Sequence, residues 1–127
     1  MKCRGIRGAT TVEANTKVSI YSSTKELLRE MVKANEVKQE DMACIIFTAT
    51  DDLNAAFPAK AAREIGYSNI PLLCSREINV PNSLQSCLRI MILFNTNKKP
   101  DDIKHIYLKG AADLRSNDND RTGGTEG

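Results

Sequence analysis

Arg89 stands where a charge is hardest to accommodate. It interrupts the apolar run Cys87-Leu88-Arg89-Ile90-Met91-Ile92-Leu93-Phe94. A guanidinium in such a run is costly unless an anion and hydrogen-bond partners meet it. A buried ion pair with an Asp or Glu would do so, and so would an anionic ligand. Arg7 is a second case, on a short N-terminal segment just before glycine; it reads either as a solvent-facing edge charge or as a further ligand cation. Lys60 and Arg63 are three apart and share one face of a short helix. Near that helix's N-terminus both oppose its dipole, which a bound anion would relieve. Their plainer reading is a Lys60–Glu64 pair with Arg63 solvated. Glu77 reads as a loop carboxylate, and Phe57 and Tyr107 fit a core as well as a site. The one histidine, His105, falls two residues before Tyr107 on the same strand face and reads as structural. Together these residues offer several cations that could converge on a small anion. The sequence has no nucleophile–base pair, Gly-rich phosphate loop or metal-ligand cluster, and the residues by themselves name no reaction.

The positioning elements follow from periodicity. Residues 2–7 alternate as a strand, with Cys3, Gly5 and Arg7 on one face and Arg4 and Ile6 on the other. Gly8-Ala9-Thr10-Thr11 reads as a turn. Residues 16–34 read as a helix whose stripe is Val18, Tyr21, Leu27, Leu28, Met31 and Val32, with Thr16 or Asn15 as N-cap. Residues 38–41 form a polar connection of about one turn. The run 43–49 predicts a strand buried on both faces. After a loop at 51–57, Pro58 opens a short helix and Gly66 suits its C′ position. Residues 70–74 predict a strand that Pro71 pushes toward an edge or marks as a strand start. A loop at 76–83 leads into the longest strand candidate, 83–96, whose faces are Leu88, Ile90, Ile92, Phe94 and Cys87, Arg89, Met91, Leu93. Residues 100–103 make a helical turn and 105–108 a last strand. Residues 1–115 read as one domain and 116–127 as a disordered tail without large hydrophobes.

The order β-α-β-α-β-β, with antiparallel pairs at the end, predicts an α+β domain: one mixed β-sheet with helices on one face. Both faces of the long strand are apolar apart from Arg89. The sheet's second face therefore calls for a subunit interface.

Composition sets bounds on function. The chain has 127 residues, enough for one domain with a disulfide-free core. It is 41% hydrophobic and 27% charged, as globular proteins are. The net charge of +2 is too small to indicate a dedicated nucleic-acid binder, and 5% aromatics with no Trp argues against base stacking. Cys3, Cys44, Cys74 and Cys87 form no CxxC pair and read as buried, reduced small hydrophobes. No secretory pattern or membrane-length apolar stretch occurs, so a cytoplasmic protein without membrane partners is expected.

The segments resemble a known family in their order. Arg4-Gly-Ile-Arg-Gly-Ala-Thr-Thr-Val-Glu13, Phe57-Pro-Ala-Lys-Ala-Ala-Arg-Glu64, the Cys74-x-x-Glu77 step, Cys87-Leu-Arg-Ile-Met91, His105-Ile-Tyr-Leu108 and Leu114-Arg115 are together similar to the monofunctional, AroH-type chorismate mutases. The resemblance spans residues 3–115. It implies a barrel-like homotrimer with active sites between subunits, and rearrangement of chorismate to prephenate without cofactor or metal. It matches Arg89 to the catalytic arginine at the ether oxygen, and Glu77 and Cys74 to the groups that bind the ring hydroxyl. Arg7 and Tyr107 match carboxylate contacts. Phe57, Ala59, Lys60, Arg63, Leu72 and Leu73 match the pocket wall and its basic rim, and Leu114 and Arg115 match a closing tail. The family often carries a hydroxyl residue where this chain has Leu73; a backbone contact survives that change. A one-residue contraction falls near Gly66-Tyr67. Two other classes fit the bare residues: a non-catalytic trimer that binds a small carboxylate, and an imine deaminase of the YjgF type. The Phe57-Pro-Ala-Lys60 and Cys74-x-x-Glu77 segments argue against the latter.

Overall fold

The strict alternation of residues 88–94 organises the sheet. In the computed structural model, which describes residues 1–114, this strand is central and everything else packs around it. The strands are β1 (Lys2–Thr11), β2 (Met42–Ala49), β3 (Leu72–Arg76), β4 (Cys87–Thr96) and β5 (Ile106–Tyr107). Their order across one five-stranded sheet is β3-β2-β4-β1-β5. β4 runs antiparallel to both β1 and β2, while the outer pairs β2–β3 and β1–β5 are parallel. The sheet is therefore mixed and the class is α+β. The longer helices among the described residues are α1 (Lys17–Asn35) and α2 (Pro58–Glu64).

Both helices cover the same face. Leu27, Leu28 and Met31 of α1 and Ala59 and Ala62 of α2 share one core with Ile6, Ile45, Phe47, Ile90, Ile92 and Phe94. Leu88, Ile90, Ile92 and Phe94 are all buried, and Cys87, Arg89, Met91 and Leu93 point the other way, as the alternation predicts. α1 starts where Thr16 accepts a hydrogen bond from the Ser19 N–H, and α2 ends at Gly66, whose φ of 107° suits only glycine well. Asn15 is not the cap; its side chain pins the loop at Asn54 and Ala55. Among the described residues no helix is long and apolar enough to cross a membrane.

Several elements differ from the sequence reading. Residues 8–11 are not a turn: β1 runs on to Thr11 and pairs with β4 along its whole length. Its small residues serve packing. A Cβ on Gly8 would collide with the Met31 side chain, so glycine lets α1 lie close against β1. Val18 is 79% exposed and Ile20 takes its place in the core, because Val18 in the first turn projects off the buried stripe. β3 begins at Leu72; the Pro71 carbonyl still accepts from the Ile45 N–H, and β3 is an edge strand as Pro71 requires. β4 begins only at Cys87, since Ser86 has a φ of 52° and breaks the extended run. The last strand shrinks to Ile106–Tyr107 and lies parallel to β1, beside neither β4 nor β2, so the antiparallel pairs are not those of the final two strands. Cys3 is exposed, having reached the open end of β1 beyond the core. Arg115 and the tail 116–127 lie outside the described residues.

Gly8 sits between Arg7 and Ala9 under a fully buried Met31. Gly8→Val should destabilise the fold by about 1–3 kcal/mol through overpacking. An unchanged urea midpoint would contradict this packing.

Candidate active site

The register puts chemistry on the sheet face opposite α1 and α2. Thr48, Arg89, Ala9 and Tyr107 form one row across β2, β4, β1 and β5. Leu73, Ile46, Met91 and Arg7 form the next row. Residues paired in this way share a face, and diagonal neighbours lie within reach of long side chains. Arg7 is diagonal to Arg89, so two guanidinium groups from one chain rise from the same surface. Small Ala9 beside Arg89 is fully buried, packed against Cys87 and Ala111.

Glu77 joins them from the end of β3. Its backbone N–H donates to the Ala49 carbonyl (3.0 Å), which extends the β2–β3 ladder by one step. Its Oε2 accepts a short hydrogen bond from the Thr48 hydroxyl and lies 3.5 Å from Arg89 Nε. Arg89 Nε is buried and makes no hydrogen bond among the described residues, while the side chain as a whole is 37% exposed. Arg7, Thr48, Glu77, Arg89 and Met91 line a cavity of about 310 Å³. A second hollow of about 690 Å³ adjoins it, bounded by Thr50, Glu77, Cys87, Arg89 and Leu114. Two arginines against one carboxylate leave a net positive pocket suited to an anion. Burial pushes the Cys87 thiol up, against the opposing pull of the neighbouring Arg89. His105 uses Nδ1 to accept the Arg7 N–H (2.9 Å), which is the structural role its sequence context predicts. Tyr107 and Leu114 pack against Ala9, Cys87 and Ala111.

The remaining candidates lie elsewhere on the chain. Phe57 and Cys74 line a separate cavity of about 470 Å³ with Arg76. Leu72 and Cys74 face the helix side of β3 and pack against the main core. Leu73 points the opposite way and is 60% exposed, while Phe57 is 72% exposed. Ala59 is buried in the core, just after Phe57 and Pro58 at the start of α2. Lys60 and Arg63 are exposed on α2. Glu64 bonds Lys25 of α1 (2.7 Å) rather than pairing with Lys60, and that lysine holds the Glu64 carboxyl below its usual range. One chain thus gathers Arg7, Glu77, Arg89, Tyr107 and Leu114 on one side, and keeps Phe57, Lys60, Arg63 and Cys74 apart from them.

Two features escaped the sequence reading. One is Thr48, a polar residue in an apolar strand whose partner became visible only with the register. The other is a clamp at the entry to β4. Asp52 accepts from the Ser86 backbone N–H (2.9 Å) and hydroxyl (3.1 Å), and from the Thr50 hydroxyl. Thr50 Oγ1 in turn accepts the Cys87 N–H (3.0 Å). The motif fixes the backbone just ahead of Arg89.

Comparison with known proteins gives a consistent picture. The family model for chorismate mutase type I matches residues 3–118. The chain is 49% identical over 113 residues to chorismate mutase AroH of Thermus thermophilus, covering 88% of this chain and 93% of that protein. It is 43% identical over 116 residues to chorismate mutase AroH of Bacillus subtilis (strain 168), covering 91% of each. Among solved structures, a chorismate mutase from Clostridium thermocellum superposes with a TM-score of 0.83 at 51% identity, covering 85% of this chain and 96% of that one. Neither an imine deaminase nor a non-catalytic carboxylate-binding protein is among these relatives.

The clamp carries a pH signature. The Thr50 hydroxyl, then the Ser86 donors, hold the Asp52 carboxyl below its usual value. Its stabilisation is therefore complete above the unfolded value of about 4 and is lost as pH falls through the folded one. Asp52→Ala should cost about 1 kcal/mol at pH 7. The gap from wild type should close as denaturation is measured at progressively lower pH; a constant gap would contradict the clamp.

Proposed function

The chain belongs to the chorismate mutase type I family, and from that premise we propose how its residues carry out the isomerisation of chorismate to prephenate. Chorismate carries two carboxylates, so its pocket must supply fixed cations. The reaction is a unimolecular Claisen rearrangement that needs no nucleophile and no proton transfer. The ether C–O bond breaks ahead of C–C bond formation, and negative charge gathers on the ether oxygen. Arg89 is the donor for that oxygen. A cation already in place there binds the transition state more tightly than the ground state. Glu77 and Cys74 bind the ring hydroxyl, and Arg7 and Tyr107 hold a carboxylate. Phe57, Ala59, Leu72 and Leu73 shape the wall, and Lys60 and Arg63 form its basic rim. Leu114 and Arg115 close over the ligand. The enclosed shape selects the compact, chair-like conformer in which the reacting carbons approach. No metal or cofactor enters this scheme.

The observation that carries the reading is the convergence of Arg7, Arg89 and Glu77 on one 310 Å³ cavity. Chain association follows from the same geometry. The Arg89 group lines one pair of cavities, Phe57 and Cys74 line another, and Lys60 and Arg63 are exposed on α2. A second copy that brings its α2 and β3 edge against the sheet face opposite α1 and α2 would join them. That face carries half-buried Ile46, Met91 and Leu93 beside exposed Leu73, an apolar surface suited to burial. On this reading, which the exposed apolar surface supports, the site lies between neighbouring chains of a barrel-like homotrimer, and the protein works in the cytoplasm.

The purified protein should consume chorismate absorbance and yield prephenate without added metal. Arg89→Ala should lower kcat by about 10²–10³-fold with the assembly unchanged in sedimentation. Turnover near wild type in that variant would overturn the mechanism.

A further inference from the structure

A carboxylate free to choose its pose beside an arginine closes on it. Charge-assisted N–H···O contacts of this kind run about 2.7–2.9 Å and are often bidentate. Glu77 does not close on Arg89. Its Oε2 stands 3.5 Å from Nε, and Nε is buried without a hydrogen bond. The same Oε2 accepts the Thr48 hydroxyl. Thr48 and Arg89 are register partners on β2 and β4, so the hydroxyl rises beside the guanidinium from the same face. The Glu77 backbone is fixed independently by the Ala49 carbonyl, leaving the side chain as the part to be placed. The Thr48 hydroxyl is spent on this carboxylate alone among the described residues.

We propose that Thr48 is a positioning residue that holds Glu77 off Arg89, so that the guanidinium keeps its donors for the substrate. A tight Glu77–Arg89 pair would neutralise the cation and occupy the N–H groups that must meet the ether oxygen. The Thr48 O–H competes for Oε2 and keeps the pair poised instead of closed. The inference rests on the reading that Arg89 and Glu77 face chorismate. It adds a residue of the cavity lining whose hydroxyl acts through Glu77.

The test is chorismate turnover by Thr48→Val, Thr48→Ser, Glu77→Ala and the Thr48→Val/Glu77→Ala double variant, with urea midpoints for each. Thr48→Val should lower kcat/KM about tenfold or more, since a hydrogen bond to a charged group is lost. Thr48→Ser should restore it. The urea midpoint of Thr48→Val should hold or rise, because the ion pair closes and valine suits a strand. In the Glu77→Ala background Thr48→Val should cause no further loss, the mark of a residue acting through Glu77. Unchanged kcat/KM in Thr48→Val while Glu77→Ala is impaired would overturn the positioning role alone. So would an equal loss in both backgrounds, or a loss of turnover that tracks a fall in midpoint. Full activity in both Glu77→Ala and Arg89→Ala would overturn the underlying site reading and this inference together.

Discussion

A guanidinium rising from an apolar sheet face is the constraint on which the rest depends. β4 is central, its helix-side residues are buried, and Arg89 is the charge on its other face. Partial exposure keeps the Arg89–Glu77 contact from contributing more than about 1 kcal/mol to stability. The pair is better understood as orientation. Glu77 is anchored through its backbone, Thr48 takes one carboxylate oxygen, and Arg89 remains incompletely satisfied. That residual demand is what an anionic ligand answers. The clamp of Thr50, Asp52 and Ser86 steadies the chain just before Arg89, and Gly8 lets α1 brace β1 beside Arg7. Fixed charge of this kind suits a rearrangement in which the protein makes and breaks no covalent bond itself.

The same constraint leaves the candidate residues of one chain in two separate groups. Cys74 and Glu77 are three steps apart along an extended segment, and side chains an odd number of steps apart project to opposite faces. Cys74 accordingly turns toward the core and Phe57, while Glu77 turns toward Arg89. In the arrangement proposed above, two copies would present these different faces to one shared cleft. The exposure of Phe57 and Leu73 and the half-buried apolar residues of the second sheet face fit the same arrangement.

The fold was legible where periodicity was strong. Both faces of β4, the span of α1, the Pro58 start and Gly66 end of α2, and the edge position of β3 were all readable, because each reflects a local rule. Register was not readable. Thr48 could be related to Arg89 only once β2 was known to pair with β4, a contact made by residues distant in sequence. The segment Gly8-Ala9-Thr10-Thr11 looked like a turn because small residues signal turns, yet here they admit Met31, the row containing Arg89, and Thr11's contact with Gly110. Val18 fitted the helical period but lies off the buried stripe. Arg89 stood out as a cation with unmet needs, but that its carboxylate partner would be held at a distance is a property of the folded sheet alone.

The central claim is that the Arg89 group of one chain and the α2 group of another make one active site. It is tested most directly by subunit mixing. A variant carrying Arg89→Ala and another carrying Lys60→Ala with Arg63→Ala are unfolded together and refolded as hybrids. The account predicts that each is strongly impaired alone and that the mixture regains chorismate turnover, because each hybrid trimer then contains about one intact cleft. A mixture no more active than the sum of its two parents would contradict it.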